Sequence, residues 1–161
     1  MLKLVLVRPE IPWNTGNVGR TCAAAGAELH LVGPLGFSLS ERRLRRAGLD
    51  YWEKLSPRVH QGLDQFLEFL PQDADVLAFS AEGERTHWQA TYRPDSWLLF
   101  GGESQGLPPE LRARWRERLH RVPMLPGARS LNLSTAAAVV LYEARRALGG
   151  APSGADGPSR A

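Results

Sequence analysis

The sequence predicts an α/β fold, in which a mainly parallel sheet is flanked by helices. Short apolar, β-branched segments alternate along the chain with longer segments of helical periodicity, and the strand segments are apolar on both faces. Parallel strands joined by helices are covered on both faces, so they lack the apolar–polar alternation of a half-exposed antiparallel strand. We therefore expect a sheet with helices on each side.

The predicted strands and helices follow one another in regular order. Four short, mainly apolar runs predict strands, at 2–7, 29–32, 76–79 and 97–100, and a brief fifth strand is predicted at 120–123. Helical spacing and end signals predict five helices, at 18–25, 40–48, 62–70, from Pro109 onward, and from 133 or 134 to 148. We expect Asn14, Thr15 and Asn17 to cap the first helix, and Gly26 to end it.

Length and composition indicate one globular domain. The chain has 161 residues, of which 43% are hydrophobic and 23% are charged, values that are ordinary for a soluble protein. We expect the domain to cover residues 1–150. The Gly-, Pro- and Ser-rich tail, 151–161, is expected to be disordered. No apolar run approaches the roughly 18 residues of a membrane span, and a signal peptide is lacking, so we expect a cytoplasmic protein.

The single cysteine limits the chemistry that the chain can perform. Cys22 lies in a small apolar stretch, and one cysteine can form neither an internal disulfide nor a multi-cysteine zinc cluster. We expect it to be a buried packing residue, because free cysteines commonly are. No metal site is predicted.

Arginines dominate the basic residues, although the formal net charge is only +3. Arginine binds phosphate and stacks on bases better than lysine does. The first run contains one glutamate and is the better candidate for binding RNA; its arginines are Arg42, Arg43, Arg45 and Arg46. The second run, at 112–121, follows Glu110 and contains Glu117, so a solvated helix face and a nucleic-acid surface are equally good interpretations.

The loop after the first strand argues against a dinucleotide-binding enzyme. Its glycines, Gly16 and Gly19, do not have the G-x-G-x-x-G spacing of a dinucleotide-binding loop. Polar side chains instead stand near a helix N-terminus, where backbone N–H groups favour an anion. Arg20 follows one turn later. A simple helix cap with a surface arginine is the alternative interpretation.

Two further loops follow predicted strands, where ligands bind in parallel α/β sheets. In the loop 98–108 a Gly-Gly pair allows a flat ligand to approach the backbone. Glu103 follows this pair, and its carboxylate could attract a cation, hold a loop amide or cap a helix. The loop 122–138 has two prolines before Arg129-Ser130-Leu131-Asn132. Its fixed backbone groups and its apolar residues Met124, Leu125 and Leu131 would suit adenine.

Together these loops resemble the motifs of the SPOUT, or trefoil-knot, RNA methyltransferases. The motifs are N-T-G-N-V-G-R at 14–20, F-G-G-E-S-Q-G-L-P at 100–108 and V-P-M-L-P-G-A-R-S-L-N-L-S at 122–134. The segment 37–51 resembles the small single-domain branch that methylates the ribose 2′-hydroxyl of the wobble nucleotide, a cytidine or uridine at position 34 of tRNA. The resemblance covers about residues 1–150.

The resemblance implies a C-terminal deep trefoil knot and a homodimer whose subunits share the tRNA site. It also implies S-adenosylmethionine as methyl donor, with S-adenosylhomocysteine as product, and no metal. The cofactor residues implied by the motifs are Phe79, Ser80, Gly101, Glu103, Val122, Leu125, Ser130 and Leu131.

The residues implied for catalysis are Arg20, Ser130 and Asn132. A guanidinium stays protonated in almost any environment, so Arg20 has two open roles: an unusual base, or a group that orients a phosphate or stabilises a developing alkoxide. Arg129 and Tyr142 are candidates for tRNA contact, although Tyr142 is equally compatible with a helix core. Trp13 departs from the family pattern, and either stacking on a base or packing explains it.

Two alternatives to tRNA methylation stay open at this stage. The chain could methylate another RNA, such as ribosomal RNA, or it could be an inert RNA-binding knotted protein. The intact polar set Arg20, Glu103, Ser130 and Asn132 argues against the inert protein.

Overall fold

Seven parallel strands form one sheet in the computed structural model, which describes residues 1–38 and 55–150. The order across the sheet is β3-β2-β1-β6-β4-β7-β5, and all six neighbouring pairs are parallel. The strands are β1 Lys3–Val7, β2 Glu28–Val32, β3 Arg58–His60, β4 Val76–Phe79, β5 Arg85–Thr86, β6 Trp97–Gly101 and β7 Leu119–Arg121.

Helices connect most of these strands. Within the described residues the α-helices are α1 Pro12–Ala25, α2 Leu63–Phe69, α3 Pro109–Arg114 and α4 Leu133–Ala147, and short 3-10 helices lie at His87–Gln89 and Arg116–Arg118. None of these helices is long and apolar enough to cross a membrane.

Two apolar cores lie on opposite faces of the sheet. Along β1, Leu4 and Leu6 belong to one core, whereas Val5 and Val7 belong to the other, because successive side chains of a strand point to opposite faces. Helices α1 and α4 cover the first face and α2 and α3 the second. This arrangement confirms the predicted helix-flanked parallel sheet.

The start of α1 differs from the prediction. The helix begins at Pro12, so Asn14, Thr15 and Asn17 lie inside it rather than at its cap, and the capping residue Ile11 makes no side-chain cap bond. The reason is Pro12, because its fixed φ and missing N–H suit the first helical position. Gly26 ends the helix in a left-handed conformation, as predicted, with φ 62°.

Two strands were not predicted from the sequence. The strands β3 and β5 have three and two residues and lie at the two edges of the sheet. Segments this short contain too little periodicity to be recognised. The predicted helix at 40–48 and the predicted tail at 151–161 lie outside the described residues.

The sheet topology determines where a ligand can bind. The strands β1, β6, β4 and β7 are consecutive neighbours, so the loops after them meet at one edge of the sheet. These loops contain the motifs singled out above. The predicted trefoil knot stays a prediction.

Candidate functional site

A cavity of about 610 Å³ lies at this edge, a size that is usual for a small-molecule site. Its walls come from the start of α1, the loops after β4 and β6, helix α3 and the segment leading into α4. The lining residues are Ile11, Asn14, Phe79, Ser80, Ala81, Glu82, Phe100, Gly101, Gly102, Glu103, Ser104, Gln105, Gly106, Leu107, Arg112, Val122, Met124, Ser130, Leu131, Asn132, Leu133 and Ala136.

One wall of the cavity is apolar. The rings of Phe79 and Phe100 stack with centroids 5.0 Å apart, and Val122, Met124 and Leu131 also line the cavity. Apolar walls of this kind favour a flat heterocycle, because burying its apolar faces away from water is favourable.

Gly101 and Gly102 allow the loop after β6 to fold tightly. A Cβ at Gly101 would collide with the backbone of Gly106 and Leu107, and a Cβ at Gly102 would collide with the carbonyl oxygen of Arg8. The loop turns back through a bridge between Gly102 and Gly106. These positions therefore require glycine for close backbone approach.

Glu103 holds the loop after β1 in place. Its Oε2 accepts a hydrogen bond from the backbone N–H of Glu10 at 2.7 Å, and its Oε1 accepts from the backbone N–H of Ile11 at 3.2 Å and from Nδ2 of Asn14 at 2.9 Å. A carboxylate at a helix N-terminus satisfies N–H groups that the helix cannot. Of the three roles open for Glu103, the structure supports holding loop amides, at the N-terminus of α1.

Glu10 makes the reciprocal contact. Its Oε1 accepts from the backbone N–H of Ser104 at 2.9 Å, and its Oε2 accepts from the Ser104 hydroxyl at 2.6 Å. These hydrogen bonds lower the pKa of the Glu10 carboxyl below its ordinary value. The loops after β1 and β6 are thus joined by two carboxylates, each bonded to the other loop.

Asn132 connects this network to α4. Its Oδ1 caps the helix by accepting from the backbone N–H groups of Ser134 and Thr135, at 2.8 and 3.4 Å. Its Nδ2 donates to Oδ1 of Asn14 at 2.8 Å. A chain of hydrogen bonds therefore runs from Glu103 through Asn14 to the N-terminus of α4.

Most residues implied for cofactor binding are brought together. Seven of the eight line the cavity, namely Phe79, Ser80, Gly101, Glu103, Val122, Ser130 and Leu131. Leu125 does not line it and is 83% exposed, whereas its neighbour Met124 does line it. The carbonyl of Leu125 accepts a hydrogen bond from the Ala128 N–H at 3.1 Å, and the role of Leu125 in cofactor binding stays a prediction.

The residues implied for catalysis are placed differently from one another. Ser130 and Asn132 line the cavity, whereas Arg20 does not. Arg20 lies on the exposed face of α1 with Trp13 and Asn17, because residues separated by three or four positions share a helix face.

The residues implied for RNA contact lie on the surface where described. Arg129 is exposed, and Tyr142 is 53% exposed, so the helix-core interpretation of Tyr142 is wrong. Trp13 is 62% exposed and is not packed into the core of its own chain. The arginines Arg42, Arg43, Arg45 and Arg46 lie outside the described residues.

Cys22 is fully buried, as predicted. Burial raises the pKa of its thiol to about 12, so the reactive thiolate is suppressed at neutral pH. Across residues 1–38 and 55–150, no group of three or more His, Cys, Asp or Glu side chains is arranged to hold a metal ion.

Glu82 and Arg112 are lining residues that the motifs did not identify. Glu82 follows β4, and its place after the end of a strand is a signal that could have found it. Arg112 lies in the arginine run, where no spacing distinguishes it from its neighbours.

Comparison with known proteins shows the family of the chain. The model of the SpoU rRNA methylase family matches residues 1–142. The tRNA (cytidine(34)-2′-O)-methyltransferase of Escherichia coli K12 is 45% identical over 150 residues, covering 92% of this chain and 95% of the relative. The enzyme of the same name from Burkholderia pseudomallei is 48% identical over 151 residues, covering 92% of this chain and 97% of the relative.

Solved structures lead to the same family. One, from a study of the 2-OH methylation of C/U34 on tRNA, superposes with a TM-score of 0.86 at 53% identity, covering 93% of this chain and 92% of the other. An AdoMet-bound rRNA methyltransferase from Sinorhizobium meliloti has a TM-score of 0.74 at 32% identity, covering 91% of this chain and 56% of the other. The resemblance recognised from the motifs is confirmed, and the chain belongs to the SpoU methylase family.

Proposed function

We propose that this protein transfers a methyl group from S-adenosylmethionine to the ribose 2′-hydroxyl of the wobble nucleotide, position 34, of tRNA. The observation that carries the proposal is the cavity at the edge of the sheet, where the three sequence motifs meet. Relatives that match along almost the whole chain are named for this reaction on cytidine 34. The proposed site of action is the cytoplasm.

The cavity fits this cofactor in size and chemistry. Its volume of about 610 Å³ lies in the range that small ligands occupy, and the stacked rings of Phe79 and Phe100 form an apolar wall beside it. Gly101 brings backbone close to the same space. When bound, S-adenosylmethionine supplies a methyl group activated by a positive sulfonium.

Asn132 and Ser130 have different proposed roles. Both amide atoms of Asn132 are bonded, to Asn14 and to the N-terminus of α4, so Asn132 positions the wall of the cavity. Ser130 is exposed and lines the cavity, where its hydroxyl can orient the ribose. Holding the acceptor oxygen in line with the methyl carbon supplies much of the rate in such transfers.

Arg20 is proposed to act by its charge. A guanidinium is a positively charged fork of N–H donors, so it can bind a phosphate or stabilise the oxygen as negative charge develops on it. Because Arg20 does not line the cavity of its own chain, we propose that it acts where the tRNA bridges the two subunits.

The exposed faces of α1 and α4 support a homodimer with a shared tRNA site. These two helices pack against each other, and they leave large apolar side chains uncovered: Trp13 is 62% exposed, Val139 40% and Tyr142 53%. A second copy of this chain would remove this apolar surface from water. Arg129 and the run Arg42–Arg46 are proposed to contact the tRNA backbone.

Nucleoside mass spectrometry tests the proposal. Total tRNA and ribosomal RNA are purified from cells with and without the gene, and every 2′-O-methylnucleoside is quantified. We expect loss of the 2′-O-methyl group at position 34 alone, restored by the purified protein with S-adenosylmethionine. Loss from ribosomal RNA instead would support the alternative substrate. If no nucleoside changes and calorimetry detects no cofactor binding, the protein is not this methyltransferase.

A further inference from the structure

We propose that Glu82 and Arg112 form the subsite that recognises the amino-acid end of the cofactor. This inference rests on the proposed function, because it takes S-adenosylmethionine as the ligand of the cavity. The two side chains form an ion pair across the cavity lining. Glu82 belongs to the loop after β4 and Arg112 to α3.

The charged residues that line the cavity identify this pair as the one available to a ligand. The charged lining residues among those described are Glu82, Glu103 and Arg112. Glu103 already accepts three hydrogen bonds, from Glu10, Ile11 and Asn14. Glu82 and Arg112 are therefore the charged side chains left to meet a charged ligand.

The chemistry of the cofactor matches one negative and one positive side chain. Its amino-acid end is a zwitterion, with an α-ammonium group and an α-carboxylate. Arg112 would bind the carboxylate through its fork of N–H groups, and Glu82 would accept from the ammonium group. Hydrogen bonds to charged groups add affinity chiefly when each charge meets its opposite.

The ion pair is placed where it can open at low cost. The Glu82 side chain is 68% exposed and that of Arg112 is 26% exposed, so solvent around Glu82 weakens the attraction between the two charges. Replacing this ion pair with contacts to a zwitterion therefore costs little free energy. Both residues also line a second cavity of about 260 Å³, which gives the opened side chains room to move.

The backbone on both sides of the pair is well anchored. The Ser80 N–H donates to the His120 carbonyl at 2.9 Å, and a Cβ at Gly83 would stand 2.7 Å from the same oxygen, so the loop of Glu82 lies directly on β7. On the other side, Leu111 is buried in the second core and fixes α3. Only the side chains need to rearrange when a ligand binds.

Calorimetry with two related ligands tests the subsite. S-adenosylhomocysteine and 5′-methylthioadenosine are both uncharged at sulfur, and they differ because the second lacks the amino-acid end. Each is titrated into the wild-type protein and into the variants Arg112→Gln and Glu82→Gln. Arg114→Gln and Glu84→Gln are matched controls, since Arg114 lies over the ring of Trp115 and Glu84 lines only the second cavity.

The expected result is selective. Arg112→Gln should weaken binding of S-adenosylhomocysteine about tenfold or more, and Glu82→Gln by a smaller factor, whereas binding of 5′-methylthioadenosine should stay within about twofold. Both controls should bind both ligands like the wild type. Thermal melts verify that each variant is folded.

Two patterns would overturn the subsite alone. Equal weakening of both ligands would mean that the ion pair only supports the fold of the cavity, and unchanged affinity for both would mean that the amino-acid end lies elsewhere. A wild-type protein that binds neither ligand would overturn the proposed function as well, so the two failures are distinguishable.

Discussion

The side-chain amide of Asn132 donates a hydrogen bond to the side-chain oxygen of Asn14 at 2.8 Å. These residues are 118 positions apart in the chain, and they lie at the N-terminal ends of α4 and α1. Their contact joins the segment after β7 to the segment after β1. Both side chains line the cavity, so its shape depends on this contact.

Replacing Asn132 should separate its two roles. Asn132→Ala removes the cap of α4, which should cost about 1 kcal/mol and lower Tm by about 2–4 °C. Asn132→Asp keeps a capping oxygen but loses the donor to Asn14, so it should recover stability without recovering cofactor affinity. Thermal melts and calorimetry with S-adenosylhomocysteine measure the two effects. If the aspartate variant binds normally, the Asn14 contact does not position the cavity.

Glu103→Gln should weaken both the fold and the cavity. The glutamine has one acceptor oxygen, and its amide group would face N–H donors from Glu10, Ile11 or Asn14. An unsatisfied donor costs about 1–3 kcal/mol, so Tm and cofactor affinity should both fall. Glu117→Gln, at an exposed position, is the control and should change neither. A Glu103 variant with normal Tm and affinity would contradict the clamp between the two loops.

Arg20→Ala should retain cofactor binding and lose methyl transfer. The side chain does not line the cavity, so the affinity for S-adenosylhomocysteine should match the wild type. Single-turnover methylation of tRNA should be severely slowed, because one stabilising charge near a reacting oxygen is worth about 10²–10³ in rate. Arg20→Lys should recover part of this rate. Normal turnover in the alanine variant would end the catalytic assignment.

If the exposed face of α4 forms the homodimer interface, a charge placed on that face should disrupt the dimer. Val139→Asp and Tyr142→Asp place a carboxylate on the exposed face of α4, which should turn a dimer into a monomer in light scattering. Glu68→Gln, at an exposed position on α2, is the control, because α2 covers the other face of the sheet. A wild-type monomer at working concentrations would contradict the shared tRNA site.

Acid should destabilise the protein through its histidines. Burial lowers the pKa of His30 to about 4, and it lowers the pKa values of His60, His87 and His120. The unfolded chain therefore binds more protons than the folded one below about pH 6.5, and stability falls as pH drops from there toward 4. Urea melts between pH 8 and pH 4.5 measure this loss.

His30→Phe tests the largest part of this pH dependence. His30 and His60 approach to 3.0 Å between ring nitrogens, inside a cluster with Phe69 and Trp97. Phenylalanine keeps an aromatic ring at this position but cannot bind a proton, so the stability of the variant should fall less steeply with acid. Parallel curves for variant and wild type would show that His30 does not titrate in the unfolding transition.

The sequence was sufficient for the class of fold and for most of the cavity lining. Apolar runs determine which segments are buried strands, and in a parallel sheet the loops after neighbouring strands meet at one edge. The motifs at 100–108 and 122–134 could therefore be assigned to one site from the sequence alone. Local signals also located Gly26 and the buried Cys22, because both depend on neighbouring residues.

Only the tertiary structure decided which side chains bind each other within that site. The partners of Glu103 are 89 to 93 positions away, and no local pattern encodes such contacts. The same holds for the Glu82–Arg112 pair and for the exposure of Leu125, Tyr142 and Trp13. Periodicity reports the face on which a residue lies, whereas the direction of a loop side chain depends on the segments that pack against it. The order of the strands determines which segments these are, because it brings together the ends of β1, β6, β4 and β7.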